Sequence, residues 1–133
     1  MSFARWTDDL LTGHPLIDEQ HQRWYSLVNA LHDAIVAGQG PEVLGRALEA
    51  VQSYTSVHFD AEEAIMRVRG YPGYGPHKLL HGALSREVAA LVRRQASGTV
   101  LPMTVGVFLG KWLRDHIESV DRQFIGWLKT TPV

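Results

Sequence analysis

There is no cysteine among the 133 residues. This excludes disulfides, thiolate zinc sites and iron–sulfur clusters. Charge of one sign is also lacking. The formal net charge of −1 gives no electrostatic reason to expect nucleic acid or an anionic membrane as partner. No apolar run approaches the roughly 18 residues that a membrane span needs. The start, Met-Ser-Phe-Ala-Arg-Trp, has no apolar core of signal-peptide length. The expectation is a soluble, cytoplasmic chain without membrane insertion. No strand alternation, internal repeat, low-complexity tract or linker stands out. With 45% hydrophobic and 20% charged residues, the chain has the balance of a folded domain. Its length suits one domain, 1–133, with a core of its own.

Turn residues divide the chain into an arm, 1–16, and four long segments. Pro15 breaks the backbone and Asp18 offers an N-cap. A helix over 18–37 follows, with apolar stripe Ile17, His21, Trp24, Val28, Leu31, Ile35, and Gly38 and Gly40 end it. Pro41 suits the first turn of a second helix, 41–69, carrying Leu44, Leu48, Val51, Thr55, His58, Glu62 and Ile65. Breakers fill 70–75. Pro76 opens a third helix, 76–97, with stripe His77, Leu80/His81, Leu84, Val88, Leu91. The fourth, 102–130, carries Val105, Leu109, Trp112/Leu113, His116, Val120, Phe124 and Trp127/Leu128. Short connections make sequential helices antiparallel neighbours. The expected fold is all-α: an up-down-up-down antiparallel four-helix bundle with an extended N-terminal arm.

The stripes are interrupted by groups that bind protons: His21, His58 with Glu62, His77 with His81, and His116 with Asp121. Residues four apart lie on one helix face, so His58/Glu62 and His77/His81 project together. In an up-down bundle all four sets approach one end. Burying so many unpaired polar groups costs roughly several kcal/mol each. A metal centre compensates, because neutral imidazole and carboxylate are ordinary ligands. Seven ligands exceed the four of a single tetrahedral zinc and suit a pair of first-row ions bridged by carboxylates. Asp121 fits least well: five residues after His116, it lies about 140° round an ideal helix. Helix rotation, local distortion, or approach from opposite sides of the centre would each bring it in. Nearby, Glu63 lies about 100° from Glu62 and is expected to be solvated. Asp18 is expected to cap a helix, and His14 to be an exposed loop residue.

The ordered set, His21 in Ile-Asp-Glu-Gln-His, His58-x-x-x-Glu62, His77-x-x-x-His81 and His116-x-x-x-x-Asp121, resembles the hemerythrin family over 6–124, in the single-domain bacterial form. The resemblance implies a non-haem di-iron centre, Fe2+/Fe3+ with an oxo or hydroxo bridge, that binds O2 reversibly as hydroperoxide. By similarity His77, His81 and His116 hold one iron, His21 and His58 the other, and Glu62 and Asp121 bridge them. The second iron keeps an open position for O2. Phe59, Trp112, Leu113, Ile117 and Trp24 are O2-pocket candidates. Trp24 stands where the family usually has a smaller aliphatic residue.

The leading function is therefore O2 storage, delivery or sensing by a binding protein, not an enzyme, with weak oxidase or peroxidase side activity. A protein partner that reads the oxy and deoxy states stays open. The alternative is a di-iron oxidase, peroxidase or nitric-oxide-handling enzyme. Ferritin-like di-iron enzymes use Glu-x-x-His pairs, and no Glu here is followed three residues later by His.

Overall fold

A computed structural model of the chain describes residues 6–98 and 104–130. Among them every regular element is helical. After a 3-10 turn, Asp8–Leu10, come α1 (Pro15–Val36), α2 (Pro41–Arg69), α3 (Tyr74–Ala96), α4 (Thr104–Asp115), a π-helical turn (His116–Asp121) and α5 (Arg122–Thr130). The last three follow without a break and form the fourth rod of a four-helix bundle. The expected helix start at Pro102 and the first five residues of the arm lie outside the described residues.

α1 packs on α2 and α4, and α2 on α3. Chain directions alternate. Near one end His21, early in α1, has its ring 4.8 Å from that of His58, late in α2. At the other end Gln95, late in α3, donates to the carbonyl of Pro41, at the start of α2, at 2.8 Å. Between α2 and α3 the chain reverses at Gly70, whose φ of 71° is cheap only for glycine. There Tyr71 N–H returns to Met66 O at 2.9 Å, the hydrogen bond that closes a Schellman turn.

α1 begins three residues earlier than expected. His14, not Asp18, is the N-cap: its Nδ1 accepts from Ile17 N–H at 3.3 Å, and Pro15 takes the first helical position. Asp18 is buried and turns back to the arm. Its carboxylate accepts from Thr12 N–H (2.8 Å), Thr12 Oγ1–H (2.7 Å) and Gly13 N–H (3.0 Å). Lys129 in α5 donates to Thr12 O at 2.7 Å, so the arm is tied to both ends of the chain.

Two apolar clusters fill the bundle. The larger holds Leu10, Trp24, Val28, Leu31, Leu48, Val51, Leu84, Val88 and Leu109. The smaller holds Ile17, Met66, Phe124 and Ile125. Full burial of each such side chain contributes roughly 1.5–3 kcal/mol. Leu80, read as an alternative stripe residue to His81, is 44% exposed, while His81 faces inward. Val120, read as a stripe residue of the fourth helix, is half-buried, and Asp121 takes the core-facing place. The π turn is the reason: its wider turn shifts the inward face on by one residue.

Candidate metal centre

Each rod sends polar side chains into the layer between the two apolar clusters. His21, His58, Glu62, His77, His81, His116 and Asp121 are all buried, none more than 4% exposed. All seven residues that the sequence singled out as ligands therefore meet. The π turn brings Asp121 in. With i→i+5 bonding, residues five apart stack much as residues four apart do in an α-helix. Of the arrangements open from sequence, local distortion is the one found.

The ligand atoms fall into two groups. One comprises Glu62, His77, His81, His116 and Asp121, the other His21, His58, Glu62 and Asp121, and the atoms of each lie within 4.8 Å of one another. Glu62 and Asp121 belong to both. Glu62 Oε1 lies 2.8 Å from His77 Nε2 and 3.3 Å from His81 Nε2, and Glu62 Oε2 lies 3.5 Å from His58 Nε2. Asp121 Oδ1 lies 2.9 Å from both His77 Nε2 and His116 Nε2, and Oδ2 lies 2.8 Å from His21 Nε2.

Among these contacts the His21 Nε2–Asp121 Oδ2 pair is a hydrogen bond, but most of the closeness is not. Both Glu62 oxygens, Asp121 Oδ1, His58 Nε2 and His77 Nε2 are buried and make no hydrogen bond. They lie within 4.8 Å of one another in each group without being paired. Unpaired buried polar atoms are costly. Two clusters of unsatisfied imidazole nitrogens and carboxylate oxygens are what a metal would satisfy, so the residues present fit two ions.

The protonation energetics favour the same chemistry. Burial pushes the His58 imidazole down to about 4, with the neighbouring His21 adding to it and Asp121 opposing. Burial, with His116 and His77 beside it, takes His81 down to about 2. Both rings are therefore neutral, the form that binds a metal. Burial and the nearby Asp121 raise Glu62 well above the usual carboxylate range. Burial would also raise Asp121, but the imidazoles of His116, His21 and His58 beside it hold it well below that range. The two carboxylates thus compete for one ionised state, as like charges in one site do.

Two supporting residues were not anticipated. Glu63, expected in solvent, is buried and accepts His81 Nδ1–H at 2.8 Å. It lies on the α2 face towards α3, and its long side chain spans the seam. Gln20 Oε1 accepts His58 Nδ1–H at 2.7 Å. Both bonds place the proton on Nδ1 and leave Nε2 free to face the centre. The available signal was position: each residue directly adjoins a ligand in the chain, Glu62 or His21.

Three aromatic rings cover one side of the centre. Phe59 stacks on His81 with centroids 3.7 Å apart and planes 3° apart. Trp112 stacks on His116 at 4.5 Å and 14°. Trp24 lies 5.3 Å from His58, 5.4 Å from Phe59 and 6.0 Å from Trp112. Leu113 and Ile117 are buried in the same apolar cluster.

A four-helix bundle whose core holds a double set of histidines joined by two shared carboxylates defines a class of metal-binding bundle. Similarity of sequence and of structure places the chain within that class. Residues 12–128 match the family model described as hemerythrin HHE cation binding domain. A bacteriohemerythrin of Pseudomonas paraeruginosa is 36% identical over 94% of this chain and 81% of its own length. One from Stenotrophomonas maltophilia is 33% identical over 97% and 84%. A wild-type hemerythrin crystal structure aligns with TM-score 0.88 and 30% identity over 92% of this chain and 95% of that one. The chain belongs to the hemerythrin family. Among the described residues no helix is long and apolar enough to cross a membrane.

Proposed function

We propose that the chain binds O2 reversibly at a non-haem di-iron centre, for oxygen storage, delivery or sensing, and does not act as an enzyme. The observation that carries this reading is the two clusters of unsatisfied ligand atoms that share Glu62 and Asp121. His77, His81 and His116 would hold one iron, His21 and His58 the other. The second position has one imidazole fewer, and a small ligand can take the place of that donor. When bound, the iron pair supplies the electrons that hold O2 and recovers them on release.

The chain's own residues set the conditions. Glu62 and Asp121 offset part of the metal charge. Glu63 and Gln20 hold the ring tautomers that present Nε2 inward. Phe59, Trp112 and Trp24 keep water from the imidazoles they cover, and excluding water suppresses side reactions. Trp24, beside His58, lies on the two-imidazole side, where it restricts the room left for a ligand. Histidine-rich ligation favours holding O2 over cleaving it.

Stopped-flow mixing of the reduced, iron-loaded protein with O2 tests the reading. Full recovery of the deoxy spectrum under vacuum is expected. Multiple turnovers with a reductant, and no recovery of O2, would instead assign an oxidase or peroxidase.

A further inference from the structure

The two halves of the centre are not built alike. On the three-imidazole side the supporting acceptor is a carboxylate: Glu63 Oε2 takes the His81 Nδ1–H bond at 2.8 Å. On the two-imidazole side it is an amide: Gln20 Oε1 takes the His58 Nδ1–H bond at 2.7 Å. A carboxylate behind an imidazole makes it a stronger donor and adds negative charge near the ion, whereas an amide only orients the ring. The side with more imidazoles therefore also has the stronger supporting group. His81 and Glu63 also line a cavity of about 210 Å³ between α2 and α3, together with Phe59 and Lys78.

Resting on the two-metal reading above, we infer that the two positions bind a divalent cation unequally. The His77/His81/His116 position fills first and holds its ion more tightly, and Glu63 is the positioning residue that sets the difference. Glu63 would not touch the ion; it acts through His81. Gln20 plays the weaker counterpart through His58.

The test uses the full chain loaded with zinc, which has no redox chemistry to confuse the reading. Equilibration against a graded excess of a chromophoric chelator should remove the ions in two steps, one zinc per chain in each. His21→Gln alters a ligand of the two-imidazole group alone, so it should abolish the weaker step and identify it. Glu63→Gln keeps the shape and the acceptor but removes the charge. It should weaken the tighter step by about 10-fold, and Glu63→Ala by up to about 100-fold, with the weaker step unchanged. Gln20→Glu should shift the other way, tightening the weaker step alone. A purely structural role for Glu63 would be preserved in Glu63→Gln, or would weaken both steps together. Loss of both zincs in one step, or equal weakening of both by Glu63→Gln, overturns the inference. If Glu63→Ala does not fold, Gln20→Glu still decides: no change in the weaker step contradicts unequal support. The outcome is separable from the proposed function. Two zinc steps with the stated variant pattern, in a protein whose iron form shows no O2-dependent spectrum, would retain this inference and remove the O2 reading. One-step zinc loss with reversible O2 binding would do the reverse.

Discussion

Replacing Trp24 by leucine tests the packing and the function at one position. Trp24 is 2% exposed and is one of the largest fully buried side chains. Leucine leaves a deficit of roughly 60 Å³, worth about 1.5 kcal/mol at about 24 cal/mol per Å³ if the site does not collapse. Two edge-on aromatic contacts also go, with Phe59 at 87° and with Trp112 at 64°. Each contributes roughly 0.5–1.5 kcal/mol. The total is about 3 kcal/mol, a large part of the roughly 5–15 kcal/mol typical of a domain. Urea unfolding should show the loss as a lower midpoint at unchanged slope. The space opens beside His58, on the two-imidazole side, so the O2 dissociation rate or the autoxidation rate should change, read by stopped-flow on the iron-loaded variant. A cost under about 0.5 kcal/mol, the value for an exposed site, together with unchanged O2 kinetics, would refute both the packing argument and the pocket assignment.

In the metal-free protein, stability should fall as pH drops from 6.5 towards 4. Over that range the unfolded chain protonates His58 and His81 while the folded chain, with these lowered to about 4 and about 2, does not. Each contributes a slope of about 1.4 kcal/mol per pH unit, and Glu62, raised in the fold, takes up its proton early and offsets part of it. Urea midpoints that rise towards acid would contradict this. Removing metal by chelation should lower the melting temperature, since a ligand held a thousandfold above its Kd adds about 4 kcal/mol; superimposable melts with and without chelator would argue against a metal centre. Asp18→Ala should cost about 2 kcal/mol through the lost bonds to Thr12 and Gly13, and Asp18→Asn less. Equal stability of the two variants in urea would contradict this, because the acceptor oxygen kept by Asp18→Asn would then contribute nothing.

Much of this was legible because four long apolar stripes and the breakers at Gly38, Gly70 and Pro41 act locally. The ligands were legible for a related reason: a polar residue on an apolar stripe needs a partner, and i,i+4 spacing says which residues share one. The π turn was not. Nothing in His-Ile-Glu-Ser-Val-Asp marks a wider turn, and the α-period pointed to Val120 where Asp121 faces the centre. Glu63 was misplaced because the helical angle gives the direction of its Cβ and not the reach of its side chain across the α2–α3 seam. Asp18 was misread as a cap because its partners, Thr12 and Gly13, come back to it only once the arm has folded over α1. These are tertiary effects, and no local pattern reports them.

The most direct test of the central claim is the visible absorption spectrum of protein grown with iron, taken with its metal content, before and after O2. Two irons per chain and a charge-transfer band that appears with O2 and vanishes on deoxygenation are expected. One zinc or no metal, or a spectrum that does not respond to O2, would contradict the di-iron account.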